Sequence, residues 1–116
     1  MTKNPTFVRE QTKVGDAIDL LHTMEIRHLP VVNDEREVVG MLSDRDLRAV
    51  RPDGMAVKVS SLMSGDVLAV EEEDDVKEVV ELMLENKIGA VPVVDGEGVL
   101  VGIISYVDVL RCARFD

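Results

Sequence analysis

The chain has 116 residues, of which 46% are hydrophobic and 31% charged, a balance that fits one compact folded unit and excludes a disordered chain. Thirteen basic residues against 23 acidic ones give a net charge of −10, which repels a nucleic-acid backbone, and with no Trp, one Tyr and two Phe there is little for bases to stack on. No apolar run approaches the roughly 18 residues of a membrane span, and the lone Cys112 can form no internal disulfide.

In chain order, the opening residues lack the basic-then-apolar layout of a signal peptide, so the expected compartment is the cytoplasm, with no nucleic-acid and no membrane partner. Residues 6–8 read as a short extended segment. Val14, Ala17, Ile18 and Leu21 follow at the i, i+3, i+4, i+7 spacing of an amphipathic helix, with Asp16, Asp19 and Thr23 facing outward and His22 on its surface. Residues 29–32 and 38–42 are β-rich runs on either side of the polar turn 33–37, and Ser43 opens a second helix. Residues 51–65 form a connector in which Pro52-Asp53-Gly54 signals a turn.

The same order then returns. An extended segment, residues 68–70, precedes the acidic run Glu71-Glu72-Glu73-Asp74-Asp75. That run is a helix cap rather than a metal site: carboxylates complement the N-terminal dipole, and Asp75 with Glu78 can close a capping box. Val76, Val79, Val80 and Met83 repeat the helical stripe, with Glu78, Glu81 and Glu85 outward. Strands over 91–94 and 99–104 flank the turn 95–98, and a last helix starts at Ser105. The six methionines read as core filler.

The return is a duplication. Shifted by 62 residues, the chain aligns with itself without a gap over residues 6–50, with about 13 identities in 45 positions. Each repeat reads β-α-β-β-α. A unit of about 45 residues sits near the lower limit for folding alone, because it buries a small fraction of its surface. The expected architecture is therefore an α/β (α+β) fold: repeat one over 1–50, connector 51–65 and repeat two over 66–116, packed together as one domain.

Gly40-Met41-Leu42-Ser43-Asp44-Arg45-Asp46 and Gly102-Ile103-Ile104-Ser105-Tyr106-Val107-Asp108 occupy equivalent positions in the two repeats. Ser-x-x-Asp after a strand is first of all a helix N-cap. The same parts also suit a nucleotide: the helix start offers free N–H groups to phosphate, the Ser hydroxyl a donor, and the Asp carboxylate an acceptor for ribose hydroxyls.

These repeats resemble the CBS domain, named after cystathionine β-synthase, and the pair resembles a Bateman module. The resemblance rests on Met24-Glu25-Ile26-Arg27-His28-Leu29-Pro30-Val31-Val32, on residues 39–47, on their partners in the second half, and on the connector run Val57-Lys58-Val59-Ser60-Ser61-Leu62-Met63-Ser64. It implies two β-α-β-β-α units about a pseudo-twofold axis, with clefts that in related modules hold AMP, ADP, ATP or S-adenosylmethionine. Carried over, it nominates Ser43, Asp46, Ser105 and Asp108 for phosphate and ribose. Arg27, His28 and Leu29, with Gly89, Ala90 and Val91, would line the cleft, joined by Thr6 and Leu68 at the first strands. Arg27, His28 and Arg45 concentrate cations in the first repeat, whereas the second has Gly89, Ala90 and Val107.

Neither a nucleophile with a nearby base nor a metal-ligand pattern around His22 or His28 is visible. The expectation is a regulatory sensor without catalysis, with no required cofactor and no metal, forming a homodimer and acting on an unidentified target. The rival expectation is a ligand-free dimerisation module.

Overall fold

The computed structural model describes residues 1–114, and the side chain of Cys112 lies outside what is described. The element order is β1 (Thr2–Lys3), β2 (Val8–Arg9), α1 (Val14–Met24), β3 (His28–Val32), β4 (Val38–Ser43), α2 (Asp44–Arg48), β5 (Val70–Glu71), α3 (Val76–Asn86), β6 (Ala90–Val94), β7 (Leu100–Ser105) and α4 (Tyr106–Arg114). Short 3₁₀ turns at Pro52–Gly54 and Val59–Ser61 interrupt the connector. The fold is mixed α+β, with two sheets and four α-helices among the described residues.

Packing divides the chain into two compact units, Thr6–Val67 on one side and Met1–Pro5 with Leu68–Asp116 on the other. The connector thus packs with the first repeat, and the first five residues pack with the second. In the unit Thr6–Val67, β3 is the central strand, parallel to β2 and antiparallel to β4. Its core gathers Val8, Val14, Leu21, Leu29, Leu42 and the connector's Val59, all buried. The other unit repeats this layout with β6 between β5 and β7, and β1 adds an antiparallel strand on the outer edge of β7. Val70, Val79, Met83, Val91 and Val93 form its core. Fully burying each such side chain contributes about 1.5–3 kcal/mol.

The two hairpins close in the same way. Asn33 Oδ1 accepts from the Glu35 and Glu37 N–H groups at 3.0 and 2.9 Å, and Asp95 Oδ1 accepts from those of Glu97 and Val99 at 2.8 and 3.0 Å. Such Asx turns are why Asn and Asp recur in turns. α1 and α3 both end on a left-handed residue, Glu25 at φ 53° and Lys87 at φ 54°. The following Ile26 and Ile88 N–H groups reach back to the Leu21 and Met83 carbonyls, closing Schellman motifs without glycine.

The helix starts diverge. At α1 the connector does the capping: Val14 N–H donates to Val57 O at 2.8 Å and Gly15 N–H to Met55 O at 2.9 Å. At α3 the Asp75 carboxylate accepts from Lys77 N–H at 2.9 Å, as a cap should. The reciprocal bond from Glu78 does not form, so the expected capping box is a single-sided cap, and Asp74 instead accepts from Glu71 N–H. The same divergence corrects the predicted stripe. Val14 is 0% exposed beneath the connector, whereas its counterpart Val76 is 60% exposed.

The methionines also divide. Met83 is core, and Met55 and Met63 pack against the first unit's core, but Met1 and Met24 are exposed.

Candidate functional site

β3 and β4 run antiparallel with His28 opposite Ser43, and β6 and β7 place Ala90 opposite Ser105 in the same way. The strand end therefore sets the residue before Pro-Val-Val beside the serine that opens the next helix. The parallel register of Val8 with Val31 and of Val70 with Val93 puts Thr6 level with Leu29, and Leu68 level with Val91. Within each unit the nominated positions thus converge on one end of one sheet: Thr6, Arg27, His28, Leu29, Ser43, Arg45 and Asp46 in one, and Leu68, Gly89, Ala90, Val91, Ser105 and Asp108 in the other.

Convergence is not equal availability. Leu29 and Val91 are fully buried and Ala90 nearly so, which leaves only their backbone to meet a ligand. Arg27, Arg45 and Asp46 are exposed, while His28, Ser43, Ser105 and Asp108 are half-buried.

Ser43 and Asp46 form a full capping box. Ser43 N–H donates to Asp46 Oδ2 at 3.0 Å, and Asp46 N–H donates to Ser43 Oγ at 3.2 Å. In the second unit Asp108 Oδ2 accepts from both Ser105 N–H, at 2.9 Å, and Ser105 Oγ, at 3.3 Å. Oδ1 of either aspartate takes part in none of these bonds, so each carboxylate keeps one oxygen for a further donor.

Some of the free helix-start amides expected from the sequence are taken. Asp44 N–H donates to Arg27 O at 2.8 Å, and Tyr106 N–H donates to Gly89 O at 3.1 Å. With Asp46 N–H also bonded to Ser43, an anion at the first repeat must be held chiefly by side chains. Arg27 and Arg45 are available there, and Arg48 pairs with Asp44 at 3.5 Å. That pair was missed in the sequence, although its i,i+4 spacing of opposite charges was the signal.

Burial pushes the His28 imidazole below its ordinary pKa of 6.5, and Arg27 adds to the effect; Asp46 and Asp44 pull the other way but do not overcome it. The ring is therefore mostly neutral at neutral pH.

An open groove of about 480 Å³ lies between β2 and α1, lined among others by Phe7, Arg9, Asp16, Asp19 and Leu20. It contains none of the nominated residues, so the candidate chemistry lies elsewhere. Among the described residues no cluster of three His, Cys, Asp or Glu could hold a metal ion, and no helix is long and apolar enough to cross a membrane.

Known proteins share this fold. The chain is 34% identical over 113 residues to an inosine-5′-monophosphate dehydrogenase of Methanocaldococcus jannaschii, a match that covers 97% of the chain but only 22% of that enzyme. Among solved structures, CBSX2 in complex with AMP is 33% identical, covers 99% of this chain and 93% of that one, and superposes with a TM-score of 0.89. The CBS domain pair of MJ0100, in complex with 5′-methylthioadenosine and S-adenosyl-L-methionine, is 25% identical over 98% of this chain and 92% of that one, with a TM-score of 0.86. The CBS domain pattern itself matches residues 1–53 and 59–114, so the chain belongs to the CBS domain family as a tandem pair.

Proposed function

We propose that the chain is a regulatory module that binds an adenine-containing nucleotide at its Ser-x-x-Asp half-sites and carries out no catalysis of its own. One observation carries this reading: in both units the serine that ends the strand donates its N–H to the aspartate three residues on, whose other carboxylate oxygen is to spare. Ribose offers vicinal hydroxyl donors that such an oxygen accepts. The AMP of CBSX2 and the methylthioadenosine and S-adenosylmethionine of MJ0100 support an adenosyl compound as the ligand. Arg27 and Arg45 favour a phosphate-bearing member, AMP, ADP or ATP, at the first repeat.

The module acts as a homodimer in the cytoplasm, as the sensing part of a regulated protein. Its match to about a quarter or less of inosine-5′-monophosphate dehydrogenases supports a place within such a larger protein.

A thermal-shift panel of AMP, ADP, ATP, S-adenosylmethionine and adenosine tests the reading. A ligand that binds the folded state raises Tm with the logarithm of its concentration above Kd, with about 2.7 kcal/mol of stabilisation at 100 times Kd. No shift with any member at millimolar concentration would favour the rival, a ligand-free dimerisation module. The exposed Leu84 and Leu110 are the observation that supports that second reading.

A further inference from the structure

We propose that His28 couples phosphate binding at the first repeat to uptake of a proton, so that phosphate-bearing nucleotides bind more tightly as pH falls. The proposal rests on the nucleotide-binding reading and adds a regulatory input to that same site. His28 is the first residue of β3, half-buried and opposite Ser43, the serine bonded to Asp46. Its neighbour Arg27 lends its carbonyl to Asp44 N–H, which ties the strand start to the start of α2. The charged groups that act on the ring are Arg27 from its own segment and Asp44 and Asp46 from α2.

The charges at this strand end leave a small positive excess. Arg27 and Arg45 are positive, Asp44 and Asp46 negative, and Asp44 is shared with Arg48. With a neutral imidazole Arg27 and Arg45 hold an anion against two nearby carboxylates; one proton on His28 adds a further cation to that hold. In the free protein burial holds that proton off near neutrality. A phosphate brings roughly two negative charges to the same place and favours the imidazolium, which donates a charge-assisted hydrogen bond. By linkage, a ligand that raises the affinity for a proton is itself bound more tightly when the proton is present. The second repeat has Ala90 at this position and gives no such response.

The test titrates wild type and His28→Asn with adenosine 5′-sulfate and with adenosine by calorimetry, between about pH 5.5 and 8. The sulfate ester is the probe because a phosphate monoester titrates near pH 6 on its own account, inside the range of the test, whereas the sulfate ester keeps its charge throughout. Wild type should bind the sulfate ester about tenfold more tightly at the acid end, the consequence of a pKa rise of about one unit on binding. Adenosine should show no such trend, and His28→Asn should abolish the slope for the sulfate ester. NMR titration of the His28 ring, free and saturated, should show its pKa moving upward with ligand. Equal slopes in wild type and variant, or a His28 pKa unmoved by saturating ligand, would overturn the coupling and leave nucleotide binding intact. Failure of the sulfate ester, AMP and adenosine to bind at any pH would overturn the nucleotide-binding reading, and the coupling with it.

Discussion

Asp46 has two duties that a substitution separates. Its Oδ2 caps α2, and its other oxygen is the one assigned to ribose. Asp46→Ala should weaken adenosine and AMP alike by one to two decades, since an unpaired ligand hydroxyl costs about 1–3 kcal/mol. It should also lower stability by about 1 kcal/mol through the lost cap, which urea unfolding would register separately. Arg27→Ala should behave differently, weakening AMP by roughly tenfold to a hundredfold while leaving adenosine nearly unchanged, because only the phosphate meets the guanidinium. Equal losses for both ligands in calorimetry would make Arg27 a shaping residue. His28 adds a stability term whose sign follows from its depressed pKa. The folded state binds that proton less readily than the unfolded chain, so the contribution is present above about pH 6.5 and lost as the pH falls below it. Urea midpoints of wild type should therefore decline relative to His28→Gln as the buffer is taken from neutral toward about pH 5.

At the scale of elements, the glycine of each Gly-x-x-Ser motif has a structural cause. A Cβ on Gly40 would run into the Met63 side chain, and one on Gly102 would lie 2.6 Å from Met1 Sδ and 3.1 Å from Thr2 O. Met1 and Met63 are equivalent under the 62-residue shift, so in both units the methionine that precedes one repeat covers the glycine of the other. Ser64 then bridges to Met41 as Thr2 pairs with Ile103. Gly40→Ala should cost about 1–3 kcal/mol of overpacking, and adding Met63→Ala should recover part of it, a non-additivity that a double-mutant cycle in urea would measure.

These elements also mark what could be read in advance. The β-α-β-β-α order was legible because alternation and 3.6-residue periodicity are local, and the Ser43–Asp46 box because its bonds span three residues. Val76 was misread because burial of a helix's first turn depends on what crosses it, and only α1 has Val57 and Met55 crossing it. β1 escaped notice because it is two residues whose strand character comes from pairing with β7. The loss of free amides at the helix starts depends on the β3–β4 and β6–β7 registers, which bring the Arg27 and Gly89 carbonyls onto Asp44 and Tyr106.

At the scale of the whole molecule, assembly sets apolar surface against like charge. Leu84 of α3 is 63% exposed and Leu110 of α4 is 68% exposed. A twofold interface through these helices would bury each leucine twice, and each fully buried leucine contributes about 1.5–3 kcal/mol. Against this, each copy carries a net charge of −10, so two copies repel over a Debye length of about 10 Å at 0.1 M salt. The two terms respond oppositely to salt: screening removes the repulsion and leaves the apolar attraction in place. Light scattering at about tens of micromolar should therefore report a dimer whose dissociation constant falls as salt is raised. Leu84→Glu should raise that constant by two decades or more, since it removes two apolar contacts and places two carboxylates at the seam. A wild type that stays monomeric across the salt series would refute the assembly, whereas a Leu84→Glu variant that dimerises like wild type would move the interface away from α3. Dimerisation that weakens as salt rises would mean that complementary charges, and not the exposed leucines, hold the copies together.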